Sequence, residues 1–487
     1  MRTRISLVLL YCLFWALPTS AQVDSPSATE TTASYFTEIA GQEAFLRQFF
    51  QRMPKGGDLH HHFSGSVYPE TYIDVMVERN FWLNTHTFEI APPSESVPSD
   101  ADGWERVGAL ATTRQWKSLR LELLYRWSAL HYSHDRGPSD EHFFTTFDKF
   151  WPVVPYSFAI GLQRIKDRAK REHMSYLETQ LRTVQGLQPY GFEERQAEVL
   201  LGGMVHEDSV GVRKVLDALF QQYQKESSFA RTVQIHNAWA KHLHDSLALD
   251  DDDITIRFQN YGVRVIPDPV AVFRNLVAAF HSANTSELIV GVNLVAPEHY
   301  PTSMDHYWLH MQMFGYLRSQ YPEVRVSLHA GELTLGLVRP EDLQWHITSA
   351  VHTAGAHRIG HGVDVAYEQN SRGLLNHMKE LGIAVEICPV SSDFILGVAG
   401  DEHPFALYRQ AGVPIVISTD DAGILRTDLT DQYVQLALQY PELGYADIKE
   451  LVYNSIRYSF LTEAEKKQLI SKLDEDFRAF EQVFGKP

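Results

Sequence analysis

The chain has 487 residues, 44% of them hydrophobic and 21% charged, the balance of an ordinary globular protein long enough for one large α/β domain or a few small ones. With 43 Lys and Arg against 61 Asp and Glu, its net charge is −18. That acidity, with no basic run anywhere, argues against nucleic acid and anionic membranes as partners, since both are gripped by a basic face.

The chain begins like an export signal. Arg2 and Arg4 precede the apolar run "ISLVLLYCLFWAL" (5–17), which is short for a membrane span; Pro18 breaks it and "TSA" (19–21) offers small residues for cleavage. Residues 1–21 therefore read as a cleaved signal peptide, and the protein as secreted or periplasmic. Of its two cysteines, Cys12 lies in that leader, so Cys388 has no partner for an internal disulfide. Export without disulfides fits a bacterial periplasm or medium. Residues 22–35 are small and polar and predict a flexible tail ahead of a folded region, 36–487.

Eight segments then read as strands. They are "GGDLHHH" (56–62), "MSYLETQL" (174–181), "ITIRF" (254–258) continuing to "VRVI", "LIVGVNLVA" (288–296), "VRVSLHA" (324–330), "RIGHGV" (358–363), "IAVEICP" (383–389) and "PIVISTD" (414–420). From Asp253 onward they recur at the spacing of βα units. Helical patterns fill the gaps: Leu343, Ile347, Ala350 and Val351 share one face of "EDLQWHITSAVHTAG", and "HPFALYRQAG" has Pro404 at its start and Gly412 at its end. Alternation of this kind predicts an α/β fold with a parallel sheet, and eight strands suggest a (β/α)8 TIM barrel. The surplus length sits mainly after the first strand. Residues 63–173, helix-rich and aromatic, predict a helical cap over the mouth. Asp250 to Asp253, four acids in a row, read as a solvated loop.

The chemistry gathers at the C-terminal ends of these strands, which converge on one mouth in a barrel. The first strand offers a histidine triplet, the fifth His329 with Glu332 close behind, the sixth His361, and the eighth Asp420 and Asp421. Strands have period two, so His60 and His62 point one way and His61 the other. His60, His62, His329 and Asp420 make a set of three nitrogens and one oxygen, which suits one Zn²⁺ per chain with a position left for water. His361 is then a candidate base and Glu332 a candidate acid. Plainer readings exist: His61 as a packed residue, and Glu332 and Asp421 as caps of the helices that follow them.

Five segments in this order, "MPKGGDLHHHFSG" (53–65), "SLHAGE" (327–332), "RIGHGV" (358–363), "EICPVSS" (386–392) and "ISTDDA" (417–422), resemble the signatures of the adenosine deaminase family, within the metal-dependent amidohydrolase superfamily of (β/α)8 barrels. The signal peptide and long insertion resemble its secreted members. The resemblance implies hydrolysis of adenosine, and 2′-deoxyadenosine, to inosine (2′-deoxyinosine) and ammonia. It implies zinc on His60, His62, His329 and Asp420, Glu332 protonating purine N1, His361 activating water, Asp421 at N7 and the Ala296 backbone at N3, with His62 also facing the substrate. Three positions depart from the family's pattern. Ser64 stands where an aspartate usually meets the sugar, Ala296 replaces a glycine, and Ala422 replaces a proline. The implied partner is a purine nucleoside. A hydrolase of another cyclic amide, an adenine or AMP deaminase, and a non-catalytic binding protein remain as alternatives. A fourth-strand lysine for a second metal is absent, as is the P-C-x-x-C site of the cysteine-based deaminases. Oligomeric state is left open.

Overall fold

The computed structural model describes residues 27–96, 102–189, 191–202 and 208–484. Eight parallel strands lie in one sheet in chain order: β1 (Gly56–His62), β2 (Met174–Gln180), β3 (Thr255–Val263), β4 (Ile289–Val295), β5 (Arg325–Ala330), β6 (Arg358–His361), β7 (Ala384–Ile387) and β8 (Ile415–Ile417). The sheet closes just past β8. There the Asp420 N–H donates to the carbonyl of His60 (2.8 Å), and the His62 N–H donates to that of Asp420 (3.3 Å). This is the expected (β/α)8 barrel, and each of the eight predicted segments contributes one strand.

β7 and β8 are buried at every position, which is why they read as apolar runs rather than alternating ones. An acid in such a strand must be paired. Glu386 of β7 is paired with Arg358, which also donates to Glu178 of β2 (2.8 Å) and lies over the Phe460 ring (3.7 Å). This buried ion cluster occupies Arg358.

Two expectations about the outer segments need correction. Residues 28–35 of the expected tail are not a tail but part of a helix, Ala28–Glu38. Ser27 and Glu30 cap it reciprocally, and Thr32 and Phe36 are its buried residues. The helix docks on the last one, Glu463–Phe484, where Thr29 donates to Glu481 (2.7 Å) and Tyr35 stacks on Phe484. A stripe of two residues is too short to read as amphipathic; tertiary packing stabilises it. The expected leader, residues 1–21, lies outside the described residues.

The insertion, residues 63–173, is not purely helical. It carries a three-stranded antiparallel sheet (Trp82–Asn84, Ile90–Ala91 and Trp104–Arg106) whose strands are too short to alternate visibly. Its last helix, Phe158–Arg171, packs on β2 as a barrel helix. The acids at 250–253 are also not a free loop: Asp250 pairs with Arg257 (2.8 Å), and Asp251 with Lys166 (2.7 Å) and Lys170 (2.9 Å). No helix among the described residues is long and apolar enough to cross a membrane.

Candidate active site

The pleat of β1 sorts the triplet. His61 turns outward, and its Nδ1 hydrogen-bonds to Thr179 Oγ1 on β2 (2.8 Å). His60 and His62 turn inward. With His329 and Asp420 they offer ligand atoms that all lie within 4.8 Å of one another. Strained turns aim several of these groups. His361, Asp420 and Ala296 hold left-handed backbone at φ 65°, 60° and 85°, a cost of about 1–3 kcal/mol each. Gly360 leaves room for the cluster, because a Cβ there would stand 2.6 Å from the His60 ring.

Neighbours that sequence reasoning did not assign orient three of the four ligands. Glu386 accepts from His60 Nδ1 (2.7 Å), Asn293 Oδ1 from His329 Nδ1 (2.9 Å), and Asp420 Oδ2 from Ser391 Oγ (2.6 Å). Each bond fixes a tautomer or a carboxylate rotamer and leaves the other ligand atom facing the cluster. His60 Nε2 is buried there without a hydrogen-bond partner, while the Nε2 atoms of His62 and His329 face each other at 3.1 Å. Three imidazole nitrogens and a carboxylate oxygen, buried and directed at one point, fit a divalent cation. The signal for Glu386 and Asn293 was present in the sequence: each is a polar residue within a buried strand.

Glu332 and His361 adjoin this set. Glu332 Oε1 lies 3.6 Å from His361 Nε2, and both group with Asp420 as a second cluster. Neither proposed cap forms. Asp421 makes no side-chain capping bond to the helix it precedes, and its Oδ1 is buried without a partner; the Glu332 carboxyl accepts no hydrogen bond among the described residues. Both side chains, with His62, Ser64, His329, His361, Asp420 and the backbone around Ala296, line one cavity of about 400 Å³. The cap closes its other side with Phe143, Phe144, Phe147 and Trp151, and the barrel adds Gln180, Tyr261 and Tyr300. Ser64 reaches the cavity, but its carbonyl is engaged by Tyr72 Oη (2.7 Å).

Burial divides the charges. It pushes the Glu332 carboxyl well above the usual carboxylate range, helped by the nearby Asp420, and does the same to Asp421. Asp420 also suffers burial, yet His62, His361 and His60 hold it down at about 2. Burial lowers His361 to about 3 and His62 to about 4, with the neighbouring imidazoles adding to it, and pushes His329 well below its usual value. On His60 burial is outweighed by the Glu386 hydrogen bond and charge, which raise it. The site thus holds an acid that keeps its proton, a neutral imidazole beside it, and an ionised aspartate.

Comparison with known proteins agrees with this geometry. Residues 250–476 match the family model described as adenosine deaminase. Over that region the chain is similar to the adenosine deaminase family. The region contains Ala296, His329, Glu332, His361, Asp420 and Asp421; His60, His62 and Ser64 lie outside it. A relative named adenosine deaminase from Enterococcus faecalis is 33% identical over 156 residues, 32% of this chain, and the match spans only 42% of that relative. Two solved structures share the fold. The arabidopsis N6-mAMP deaminase has a TM-score of 0.54 at 18% identity, covering 88% of this chain and 99% of that one. The adenine deaminase from Arthrobacter aurescens has a TM-score of 0.50 at 16% identity, covering 87% and 99%.

Proposed function

We propose that the chain is a zinc-dependent deaminase that hydrolyses adenosine, and 2′-deoxyadenosine, to inosine or 2′-deoxyinosine and ammonia. The observation that carries this reading is the placement of Glu332, His361 and Asp421 around the four-ligand cluster, in one cavity of purine nucleoside scale. His60, His62, His329 and Asp420 would hold the metal. When bound, zinc acidifies a water and makes it a nucleophile at neutral pH.

The remaining chemistry belongs to the side chains. Glu332, protonated by its burial, donates to purine N1, which makes C6 electrophilic. His361, neutral and 3.6 Å from Glu332, accepts the proton released as water adds to C6. The amino group leaves as ammonia with a proton returned to it, and C6 becomes the carbonyl of inosine. Asp421, also protonated, donates to N7, while the N–H of Ala296 faces N3. Phe143, Phe144 and Phe147 exclude water around the base.

A nucleoside is favoured over a nucleotide by the lining itself. None of the described residues around the cavity is Lys or Arg, and Asp148 adds an acid to the cap side. A phosphate dianion therefore finds repulsion where it needs a cation. The cap cations Arg114, Lys117, Arg120 and Arg126 stay outside the lining, and Arg126 is taken up by Glu122 (2.9 Å) and the Phe88 ring. Ammonia release from adenosine, 2′-deoxyadenosine, adenine and AMP tests the reading. Adenosine and its 2′-deoxy form are expected to react and AMP to be poor. Turnover of AMP equal to adenosine overturns the nucleoside assignment, and no release from any of them by metal-loaded protein overturns the deaminase. Export before action is part of the proposal, and mass spectrometry of the secreted chain should find Gln22 at its N-terminus.

A further inference from the structure

Among the described residues Glu332 has no hydrogen bond on its carboxyl, so something else must hold it in place. Its carboxyl stands 3.6 Å from His361 Nε2. What is anchored is its backbone. Glu298, two residues beyond the left-handed turn at Ala296, is almost wholly buried and accepts two consecutive N–H groups. Its Oε1 takes that of Gly331 (3.1 Å) and its Oε2 that of Glu332 (3.2 Å).

Glu298 is in turn clamped. His346 Nδ1 donates to Oε1 (2.6 Å), and Arg264 Nη1 stands 3.3 Å from Oε2. The other nitrogen of that guanidinium, Nη2, donates to the carbonyls of Leu294 (2.9 Å) and His329 (2.7 Å). Arg264 therefore ties the end of β4 to the end of β5, and Glu298 closes the same bracket from the acid's side. Burial would neutralise Glu298, but the His346 bond, Arg264 and the Gly331 N–H hold its carboxyl at about 2. Gly331 itself is wedged: it has φ 74°, and a Cβ there would lie 2.3 Å from Asp364 Oδ1. The segment that carries Glu332 is thus seized at two adjacent peptide groups by a fixed, charged acceptor.

We infer that Glu298 is a positioning residue, which sets the reach of Glu332 into the cavity by gripping the Gly331 and Glu332 amides while Arg264 and His346 hold it rigid. It touches neither the cavity nor the metal ligands' side chains, and nothing in its sequence position announces the role. The inference rests on Glu332 being the acid of the proposed reaction. Charge-assisted bonds of this kind are the strong ones, and a misplacement of about 1 Å at a reacting group can cost on the order of a hundredfold in rate.

Glu298→Gln tests it, because an amide keeps shape but leaves only one acceptor oxygen for two N–H donors. Two quantities are read on the full, metal-loaded chain. Hydrogen exchange at the Gly331 and Glu332 amides should speed up by about tenfold or more. Turnover per bound metal should fall by about ten- to a hundredfold with KM little changed, and metal content should match the wild type. A purely structural role would lower the melting temperature and leave turnover per folded, loaded site alone; that result, or unchanged exchange, overturns the inference. If Glu298→Gln does not fold, His346→Gln decides. It loosens the clamp while keeping Glu298 and Arg264, so exchange and turnover should both move in the same direction by a smaller factor, and no change in either overturns the inference. If the wild type deaminates no purine, the function of Glu332 falls with the proposed reaction, and the exchange result alone decides whether Glu298 holds the segment.

Discussion

The two walls of the cavity are built on opposite principles. The barrel wall carries a polar, buried and cross-braced cluster: His60, His329 and Asp420 each have a dedicated hydrogen-bond partner on a neighbouring element. The cap wall, centred on the helix Ser139–Phe150, is mostly aromatic, with Phe144 and Phe147 only half-buried. Ring contacts join the walls, Phe144 lying 6.0 Å from Tyr300, and Asp140 meets His299 Nε2 at 3.1 Å, tying the cap helix to the loop that carries Glu298. One wall can lose almost nothing without losing chemistry. The other can trade contacts, because dispersion and burial are additive and undirected. The lesson is that rate should depend on the barrel wall and affinity on the cap.

The strongest test of that division is His62→Ala against His61→Ala. The first removes a ligand atom and should strip metal and activity together. The second removes only the Thr179 bond and should retain metal. Equal metal loss in both, by elemental analysis, would break the assignment of the two faces of β1. Glu332→Gln comes next: turnover should fall by roughly 10²-fold or more, the scale of general acid catalysis, with metal still bound. Asn293→Ala leaves every ligand in place but frees His329 Nδ1, and metal affinity measured by competition with a chelator should weaken by about 10–100-fold. Phe147→Ala on the cap should have the smallest effect: KM for adenosine rising about tenfold or less with kcat unchanged, the mark of a contact shared by ground and transition states. A fall in kcat there would mean the cap also positions the reacting atoms.

Much of this molecule is legible in its sequence because its determinants are local or periodic. Eight strand segments separated by helical patterns specify a parallel sheet, since buried parallel strands need crossovers of that length, and their number suggests the closed barrel. Strand parity separates His61 from its neighbours, and the placing of His329, Glu332, His361, Asp420 and Asp421 at strand ends brings them to one mouth. What the sequence could not decide is which residues meet across the barrel. Glu386 reaches His60 across 326 residues, and Glu298 reaches the amides of Gly331 and Glu332 from the end of a neighbouring strand. Neither contact has a period or a motif, because each depends on the register between strands. The terminal helix Ala28–Glu38 was hidden for the same reason. Its composition is that of a tail, and only docking on Glu463–Phe484 offsets the entropy of ordering it. Pattern along the chain determined the elements and the chemistry at their ends; packing between distant elements decided the tautomers, the buried charges and the mostly apolar cavity in which that chemistry sits.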